Sequence, residues 1–393
     1  MSRGGDDLRI CFVSCNEAVW GGSEELWAGA ALAAVRAGHK VSALKPYLDL
    51  RQPPLKALGE AGCRMRNLTH IPLSATRAYA ALCRVSRTLA ILYQMFQLWL
   101  TLRLSRPDLV VLSQGGNWDG FAYAHICRKL KLRYILISQK ASDIHWPPDF
   151  YRAQCRALHG QAEASWFVSH HNRCLTEEQL AITLPHADVV RNPFLVDYAA
   201  PLAWPGDDSV TRLACIGRLY PMEKGQDILL RVLAQPKWRE RPLHVDFYGT
   251  GTGQVALEAM ARHLGLANVT FHGHVDDIPA VWQSHHGLVL PSRCEGLPLV
   301  LVECMLVGRI AITTDVGGSA EVLDDNTTGF LASAPTEAAF DDAMERAWMR
   351  RSDWSTIARS AATAIRDQVP ADPSAELMLK IVDLAKTTAG PTG

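Results

Sequence analysis

The stretch GLVLPSRCEGLPLVLVECM, residues 287–305, carries the strongest signal for the fold of this chain. Its first four residues form an apolar run rich in β-formers and bounded by a proline, which predicts a buried strand. A loop with Glu295 and Gly296 follows, and Pro298 then opens a second apolar run at the first turn of a predicted helix. This order of strand, loop and helix points backbone N–H groups at an anion such as a diphosphate.

The same alternation of short apolar strands with helical patterns recurs along the whole chain, as is typical of βαβ units around parallel sheets. In the first half the predicted strands are residues 8–14, 40–44, 109–113, 133–138, 165–169 and 188–191. In the second half they are residues 212–217, 243–248, 269–271, 287–290, 310–313 and 329–331. Two separate sheets are therefore expected.

The length of 393 residues exceeds the size at which one hydrophobic core keeps growing, so two domains are expected. Prolines and a glycine with few periodic apolar positions mark a linker between the two sheets. The predicted boundaries are a first Rossmann-like domain at residues 1–195, a linker at 196–209, a second Rossmann-like domain at 210–370, and a helix and tail at 371–393 that pack back on the first domain.

Composition narrows the class of protein further. The formal net charge is zero, but residues 1–200 carry 23 Lys+Arg against 16 Asp+Glu, which suggests different partners for the two halves. The ten cysteines form no Cys-x-x-Cys pair and no secretory leader is evident, so we expect a reduced, cytoplasmic setting without disulfides or zinc. No nucleic-acid partner is expected.

A second motif, GRLYPMEKG at residues 217–225, follows directly on the first strand of the second half. Arg218 and Lys224 therefore stand at the carboxyl end of a strand, where open α/β sheets bind ligands. Arginine offers a two-pronged donor and lysine a mobile point charge, a pair that suits a departing diphosphate. Glu295 in its loop and Glu303, about two turns into the helix, can accept hydrogen bonds from hydroxyl groups on either side of the phosphate.

The two motifs together resemble the paired motifs of glycosyltransferase family 4, retaining enzymes of GT-B fold also described as glycosyl transferases group 1. The likeness runs through most of the chain and includes GGSE at residues 21–24, GHKV at 38–41, NP at 192–193, GTG at 249–251 and TDVGG at 314–318. It implies an α/β chain of two Rossmann-like domains whose parallel sheets face each other across a cleft. It also implies metal-independent hexosyl transfer, without a cofactor, in polysaccharide, glycolipid or glycoconjugate synthesis.

The resemblance also implies partners and residue roles. The donor would be a nucleotide sugar, a UDP- or GDP-sugar above all, and the acceptor a carbohydrate or a lipid-linked molecule. Arg218 and Lys224 would bind the diphosphate, Glu295 the donor sugar and Glu303 the ribose, while the backbone of residues 297–299 would contact phosphate and that around His274 the nucleobase. The implied donor site comprises Gly217, Arg218, Lys224, Gly249, His274, Glu295, Gly296, Leu297, Pro298, Leu299 and Glu303.

One departure from the family concerns the first domain. Many relatives place a histidine near the anomeric carbon at the end of the fourth strand, whereas this chain reads SQKASDIH at residues 138–145. Either Gln139 or Lys140 takes that place, or His145 reaches it from the following loop, and His145 joins Glu295, Arg218 and Lys224 as a catalytic candidate. The amides of Gly21 and Gly22, before the predicted N-cap Ser23, complete the predicted acceptor or phosphate loop.

Several alternatives stay open at this point. No Asp-x-Asp occurs in the chain, so the diphosphate charge falls to Arg218, Lys224 and helix dipoles. Trp20, Trp118 and Trp146 are candidates for stacking on sugar rings or for ordinary core packing. The rival functions are a nucleotide-sugar epimerase of the same fold and a catalytically silent sugar-nucleotide-binding subunit.

A basic segment suggests contact with a membrane. Residues 51–133 hold 13 Lys+Arg against three acidic residues, and they flank the apolar run at residues 89–104, which is shorter than a membrane-spanning helix. Peripheral contact with an anionic inner membrane face and a lipid-linked acceptor is one interpretation, and a buried helix with solvated arginines is the other.

Overall fold

The computed structural model describes residues 7–17, 20–69, 86–206 and 210–387. Residues 1–6, 18–19 and 70–85 of the first predicted domain, residues 207–209 of the predicted linker and residues 388–393 of the tail lie outside these ranges. By its contacts the chain divides into two units. One comprises Met1–Ala141, His145–Pro193 and Asp372–Gly393, and the other Ser142–Ile144 and Phe194–Ala371.

The first unit contains a sheet of seven parallel strands in the order β3-β2-β1-β4-β5-β6-β7. The strands are β1 Arg9–Ser14, β2 Lys40–Lys45, β3 Arg64–Asn67, β4 Leu109–Gln114, β5 Tyr134–Ser138, β6 Ala164–Phe167 and β7 Ala187–Val189. The helices are α1 Gly22–Arg36, α2 Pro53–Glu60, α3 Arg87–Ser105, α4 Phe121–Lys129, α5 Asp149–Gly160 and α6 His170–Leu180.

The second unit contains six parallel strands in the order β10-β9-β8-β11-β12-β13. The strands are β8 Thr211–Ile216, β9 Leu243–Tyr248, β10 Val269–Gly273, β11 Gly287–Leu290, β12 Ile310–Thr314 and β13 Phe330–Ala332. The helices are α7 Pro221–Lys224, α8 Gln226–Leu233, α9 Pro236–Glu240, α10 Gln254–His263, α11 Ile278–Ser284, α12 Leu299–Leu306, α13 Ser319–Val322, α14 Glu337–Met349 and α15 Trp354–Arg366, with a 3₁₀ turn at Arg351–Asp353.

The central strands β1, β4, β5, β11 and β12 are buried on both faces, because alternate residues of a strand enter different cores. In β1, Ile10 and Phe12 join the core under α1, while Cys11 and Val13 join the core on the other face. The last helix, α16 Pro373–Thr387, packs on α1 and contributes buried apolar side chains to the α1 core. The carboxyl-terminal helix is therefore part of the first unit.

The strand order places a ligand edge in each sheet. The order reverses between β1 and β4 in the first sheet and between β8 and β11 in the second. In open parallel sheets ligands bind beyond the carboxyl ends of the strands at such a reversal. The loops after β8 and β11 are the two sequence motifs, so the fold brings them to one edge.

Two details of the sequence-based prediction differ from the structure. The edge strand β3, with the sequence RMRN, was not predicted because basic residues interrupt its apolar pattern. The helix α1 begins at Gly22 with Gly21 as N-cap, so Ser23 lies inside the first turn and is not the cap. No helix among the described residues is long and apolar enough to cross a membrane.

Candidate active site

The two motifs form neighbouring loops on the second unit. Residues 217–225, here called the cationic loop, follow β8, and residues 291–298, the carboxylate loop, follow β11. The strands β8 and β11 pair in parallel, with Leu213 beside Gly287 and Ala214 beside Leu288. Both loops therefore leave the sheet side by side at its ligand edge.

Close backbone contacts lock these loops together. The carbonyl oxygen of Glu223 accepts hydrogen bonds from the amides of Arg293, at 2.7 Å, and Cys294, at 3.1 Å. Gly225 has a φ angle of 63°, and a Cβ atom there would lie 1.9 Å from the carbonyl oxygen of Pro291. Only glycine fits both the left-handed conformation and this close approach. The spacing of the loops is thus fixed by backbone atoms.

An ion pair connects the carboxylate loop to the first turn of α8, directly after the cationic loop. The Arg293 guanidinium donates to the two carboxylate oxygens of Asp227 at 2.6 and 2.9 Å, and also to the carbonyl oxygen of Pro221 at 2.7 Å. Burial raises the pKa of Asp227, but the hydrogen bonds and charges of Arg293 and Arg231 outweigh it and hold that pKa below its usual value. A two-pronged pair of this kind fixes orientation as well as distance.

Lys224 and Glu295 meet at the centre of the two loops. The Lys224 ammonium lies 2.7 and 2.8 Å from the two carboxylate oxygens of Glu295, and the Ser292 hydroxyl donates to one of them at 2.7 Å. The Glu295 side chain is 8% exposed and that of Lys224 is 22% exposed. The carboxylate is therefore held in one orientation by two donors, and the lysine reaches it from the edge of the site.

Arg218 is the more accessible cation of the pair. Its side chain is 56% exposed, donates to a Glu223 carboxylate oxygen at 2.6 Å, and places its guanidinium carbon 5.2 Å from the ring centre of Tyr220. Its backbone carbonyl accepts a hydrogen bond from the Gln226 amide group at 2.8 Å. The structure thus anchors the backbone of Arg218 while the guanidinium faces solvent.

The glycine loop after β9 packs against the cationic loop. A Cβ atom on Gly249, where φ is 128°, would lie 2.1 Å from the Gly217 carbonyl oxygen, and one on Gly251 would lie 2.4 Å from the Leu219 carbonyl oxygen. The Leu219 amide also donates to the Thr250 carbonyl at 3.0 Å. These glycines let the backbones approach closely and so support the loop that carries Arg218.

Glu303 lies on α12, which begins at Leu299 after the N-cap position Pro298. It is therefore just over one turn into the helix, and the prediction of two turns is wrong because the helix starts later than the apolar run. Its side chain is buried, and one carboxylate oxygen accepts a hydrogen bond from the Leu195 amide at 3.0 Å. The carbonyl of Gly296, in the carboxylate loop, accepts from the Gly318 amide at 2.6 Å.

The histidines near β10 separate into two environments. The strand ends at Gly273, so His274 lies beyond it, bonds to Asp276 at 3.1 Å and is exposed. His272 bonds to the buried Asp246 at 2.6 Å. His272 and His274 therefore do not share a strand face, because the strand stops between them. The backbone at His274 lies near the ligand edge, as a nucleobase contact requires.

The glycine loop of the first unit lies at the ligand edge of its own sheet. Gly21 and Gly22 follow β1 and open α1, and a side chain on Gly21 would meet nothing within 4 Å. The backbone of this loop is therefore accessible from outside. This accessibility is a precondition for a contact between the loop and a ligand.

The residues after β5 differ in their burial. Gln139 is buried and accepts a hydrogen bond from Asn192 at 2.7 Å, but its side-chain nitrogen has no hydrogen-bond partner in the described part of the chain. Lys140 is half-buried, and His145 is exposed with its carbonyl oxygen accepting from Gln179 at 3.3 Å. Gln139 thus carries an unused donor directly after β5. This strand is the fourth predicted one, and it is fifth in the chain because β3 precedes it.

The structure brings Lys224 into contact with Glu295, which the sequence placed in separate motifs, while Arg218 of the same cationic loop pairs with Glu223. Sequence reasoning did not assign roles to Glu223, Ser292 or Arg293, although all three stand inside the quoted motifs. It also overlooked Lys45, a buried lysine that ends the apolar strand β2. A lysine directly after four residues of an apolar strand was the one signal that could have identified it.

Comparison with known proteins shows which proteins this chain is similar to. Residues 210–349 match the model of Glycosyl transferases group 1. The chain is 31% identical over 134 residues to alpha-D-kanosaminyltransferase of Streptomyces kanamyceticus, which covers 33% of this chain and 34% of that protein. It is 30% identical over 185 residues to a GDP-mannose-dependent alpha-(1-6)-phosphatidylinositol monomannoside mannosyltransferase of Mycobacterium tuberculosis, covering 39% and 47% of the two chains.

Solved structures are similar over nearly the whole chain. The structure of Anabaena Alr3699/HepE in complex with UDP and glucose has a TM-score of 0.74 and 18% sequence identity, and the match covers 96% of this chain and 99% of that one. The predicted fold class, α/β with two Rossmann-like domains of the GT-B type, is confirmed. The match of residues 210–349 to the glycosyl transferases group 1 model agrees with the resemblance that the motifs indicated, and the chain spans about a third to a half of the length of these two curated relatives.

Proposed function

We propose that this protein is a glycosyltransferase that moves a sugar from a nucleotide-sugar donor to an acceptor hydroxyl in polysaccharide, glycolipid or glycoconjugate synthesis. The observation that carries the proposal is the contact of Lys224 with Glu295 between two interlocked loops at the ligand edge. A cation beside an oriented carboxylate suits a ligand that has a diphosphate next to a sugar. The same segment matches the group 1 family.

In this proposal the cationic loop binds the leaving diphosphate. Arg218 is exposed enough to turn from Glu223 to phosphate oxygens, and Lys224 offers a second positive charge. Backbone amides at residues 297–299, at the start of α12, add the positive end of a helix dipole. Fixed donors of this kind stabilise negative charge as it grows on the leaving oxygen.

The two carboxylates serve different parts of the donor. Glu295, oriented by Lys224 and Ser292, accepts hydrogen bonds from hydroxyl groups of the transferred sugar. Glu303 accepts from the ribose, and the backbone around His274 contacts the base. Retention of configuration at the anomeric carbon follows from the resemblance to family 4. No metal or other cofactor has a role in this mechanism.

In this proposal the acceptor is bound by the first unit, to which the helix α16 Pro373–Thr387 belongs. The unpartnered side-chain nitrogen of Gln139 is the best candidate for the donor near the anomeric carbon, with Lys140 and His145 as the alternatives. The open backbone at Gly21 and Gly22 is the candidate acceptor or phosphate loop. The linker of residues 196–209 then joins the acceptor domain to the donor domain at residues 210–370.

The donor is proposed to be a UDP- or GDP-sugar. Similar structures contain UDP with glucose or UDP-glucose, and the matched mycobacterial relative is named as GDP-mannose-dependent. A thermal-shift screen of UDP-, GDP- and ADP-sugars tests this proposal. A ligand present at about a hundred times its Kd adds roughly 2.7 kcal/mol of stability. If no sugar nucleotide raises Tm, the proposed function is wrong.

Product analysis separates the proposal from its rivals. An epimerase of the same fold converts the donor sugar without any acceptor, and a silent binding subunit converts nothing. The glycosyltransferase releases nucleoside diphosphate slowly with donor alone and faster with acceptor, and the sugar appears in the product. Epimerised donor without acceptor, or donor binding without any turnover, would favour the rivals.

A peripheral location on the cytoplasmic face of an anionic membrane is the proposed setting, with a lipid-linked acceptor. Its support is an apolar surface on α3, formed by the exposed side chains of Ile91, Leu92, Phe96 and Trp99, of which the last two stack with ring centres 6.0 Å apart. Basic residues of the segment 51–133 lie around it in sequence. Apolar side chains next to basic ones are typical of proteins bound to anionic lipid.

Liposome sedimentation tests the membrane proposal. The protein is expected to sediment with phosphatidylglycerol vesicles at low salt and less with phosphatidylcholine vesicles. The variant Phe96→Ser/Trp99→Ser should lose this binding, while Val255→Ser, which removes an even more exposed apolar side chain from α10, should keep it. Failure of the parent protein to bind anionic vesicles would contradict the proposal.

A further inference from the structure

The first unit contains a fully buried ion pair at the ligand edge of its sheet. Lys45 is the last residue of β2, Glu24 lies in the first turn of α1, and their charged groups are 3.0 Å apart. The side chains are 0% and 1% exposed. None of the sequence motifs or proposed roles above uses Lys45.

The Lys45 ammonium has three polar neighbours. It is ion-paired with the Glu24 carboxylate, and it donates to the Ser14 hydroxyl at 3.3 Å and to the backbone carbonyl of Asn16 at 2.6 Å. The Glu24 carboxylate accepts from the Ser14 hydroxyl at 3.1 Å and from the Trp27 indole at 2.9 Å. Each buried charge therefore has a partner of opposite charge and hydrogen bonds besides, which is the condition under which buried charges persist.

The network holds the loop between β1 and α1 at several points. Lys45 fixes the carbonyl of Asn16, and the Asn16 amide group donates to the Ser23 hydroxyl at 3.2 Å. Trp20 donates to Glu25 at 2.5 Å and packs its ring 6.3 Å from that of Trp27. Both ends of the glycine loop at residues 21–22 are thus tied to side chains that surround the buried pair.

A role in stability alone explains this arrangement poorly. Removing two charges from water is costly, and replacing a buried ion pair by apolar residues of similar size is often neutral or stabilising. The pair lies beside the reversal of strand order between β1 and β4, where a ligand of the first sheet is expected.

We propose that Lys45 and Glu24 are positioning residues that hold the glycine loop at residues 21–22 in the conformation that binds the acceptor. The inference rests on the proposed function and deepens it by tying acceptor recognition to this loop. Neither side chain touches the substrate. Their effect is transmitted through the carbonyl of Asn16 and through the start of α1.

The test compares single and double replacements. Lys45→Met leaves a buried carboxylate without its cation and is expected to lower Tm. The double variant Lys45→Met/Glu24→Gln removes both charges at nearly constant volume and should recover most of that Tm. We expect the double variant to retain an about 10- to 100-fold loss in kcat/KM for the acceptor, because small displacements of a substrate-binding loop are costly to the rate. The Kd for UDP should change less than about twofold, since the donor site lies on the other unit.

A matched control lies on the opposite edge of the same sheet. Arg9 begins β1 and pairs with Asp108 at 2.9 Å, at the amino ends of the strands. The variant Arg9→Met/Asp108→Asn should leave the acceptor KM unchanged. Faster deuterium uptake in peptides that cover Asn16 and Ser23 is expected for the Lys45→Met/Glu24→Gln variant and not for the control.

The outcomes separate this inference from the proposed function. If the parent protein binds no sugar nucleotide and transfers no sugar, the proposed function fails. If the parent transfers sugar and the Lys45→Met/Glu24→Gln variant recovers both Tm and acceptor kcat/KM, the pair is structural and the inference is overturned. A loosened loop with an unchanged kcat/KM for the acceptor overturns it as well.

Discussion

Replacing Arg218 or Lys224 by alanine should lower turnover to a similar extent and affect stability differently. Loss of one fixed donor to a developing negative charge costs about 2–4 kcal/mol in the barrier, or two to three orders of magnitude in kcat. KM should rise less, because the charge on the leaving oxygen grows as the glycosidic bond breaks. The fall in kcat and the smaller rise in KM are both expected of cations that lie at the ligand edge of the sheet, where the leaving diphosphate would bind.

The burial of each cation sets its effect on folding. The Arg218 side chain is 56% exposed, so its loss should cost less than about 0.5 kcal/mol and leave Tm nearly unchanged. Lys224 neutralises a carboxylate that is only 8% exposed, so Lys224→Ala should cost about 1–3 kcal/mol, less than a fully buried pair. In a unit of this size that loss lowers Tm by about 2–10 °C.

The assay measures kcat, KM and Tm for both variants, with EDTA present throughout. Arg359→Ala, which removes an exposed cation from α15, is the matched control and should behave like the parent protein. Near-normal kcat in both site variants would refute the cationic mechanism. Activity of the parent that EDTA abolishes would refute its independence from metal.

Three further predictions follow from the same geometry. Glu303→Gln should weaken nucleoside diphosphate binding in calorimetry, whereas Glu295→Gln should mainly lower kcat, and equal effects on affinity would contradict these roles. Arg293→Lys keeps the charge but loses the two-pronged bond to Asp227, so kcat should fall by about tenfold with donor Kd changed little, and an unchanged kcat would show that backbone contacts alone fix the loops. Burial lowers the pKa of His159 from 6.5 to about 4, so on acidification the unfolded chain takes up a proton that the folded chain does not. The stability contributed by the neutral side chain should be fully present above pH 6.5 and should fall by roughly 3 kcal/mol on acidification to pH 4. Chemical denaturation should show a weaker loss of stability in His159→Gln.

Much of the fold could be predicted from local pattern. Runs such as residues 243–248 and 287–290 coincide with β9 and β11, because an apolar stretch between a turn and a proline or glycine has few other conformations. The edge strand β3 could not be predicted in this way. Its pairing with β2 supplies backbone hydrogen bonds that its own side chains do not signal.

The candidate site was predictable where its chemistry is concentrated in a short segment. Arg218, Lys224 and Glu295 stand in motifs that each combine a strand end, a glycine and a charged side chain. The direct contact of Lys224 with Glu295 was not predictable, because it depends on the pairing of β8 with β11 across about 70 residues of sequence. The cleanest example is the bond from Lys224 to Glu295, which no spacing rule anticipates.

Charged residues that act by position pose the hardest problem for a single sequence, and the two ion pairs described above show why. Arg293 and Asp227 are 66 residues apart, and Lys45 and Glu24 are 21 apart. Each is unremarkable in its own segment, where a surface charge is the ordinary interpretation. Burial and partner are properties of the folded chain, and only these turn an ordinary lysine into one whose loss leaves an unpaired carboxylate in a core. Functional inference for such residues therefore has to begin from the structure, and the test that distinguishes positioning from stability is the removal of both charges together.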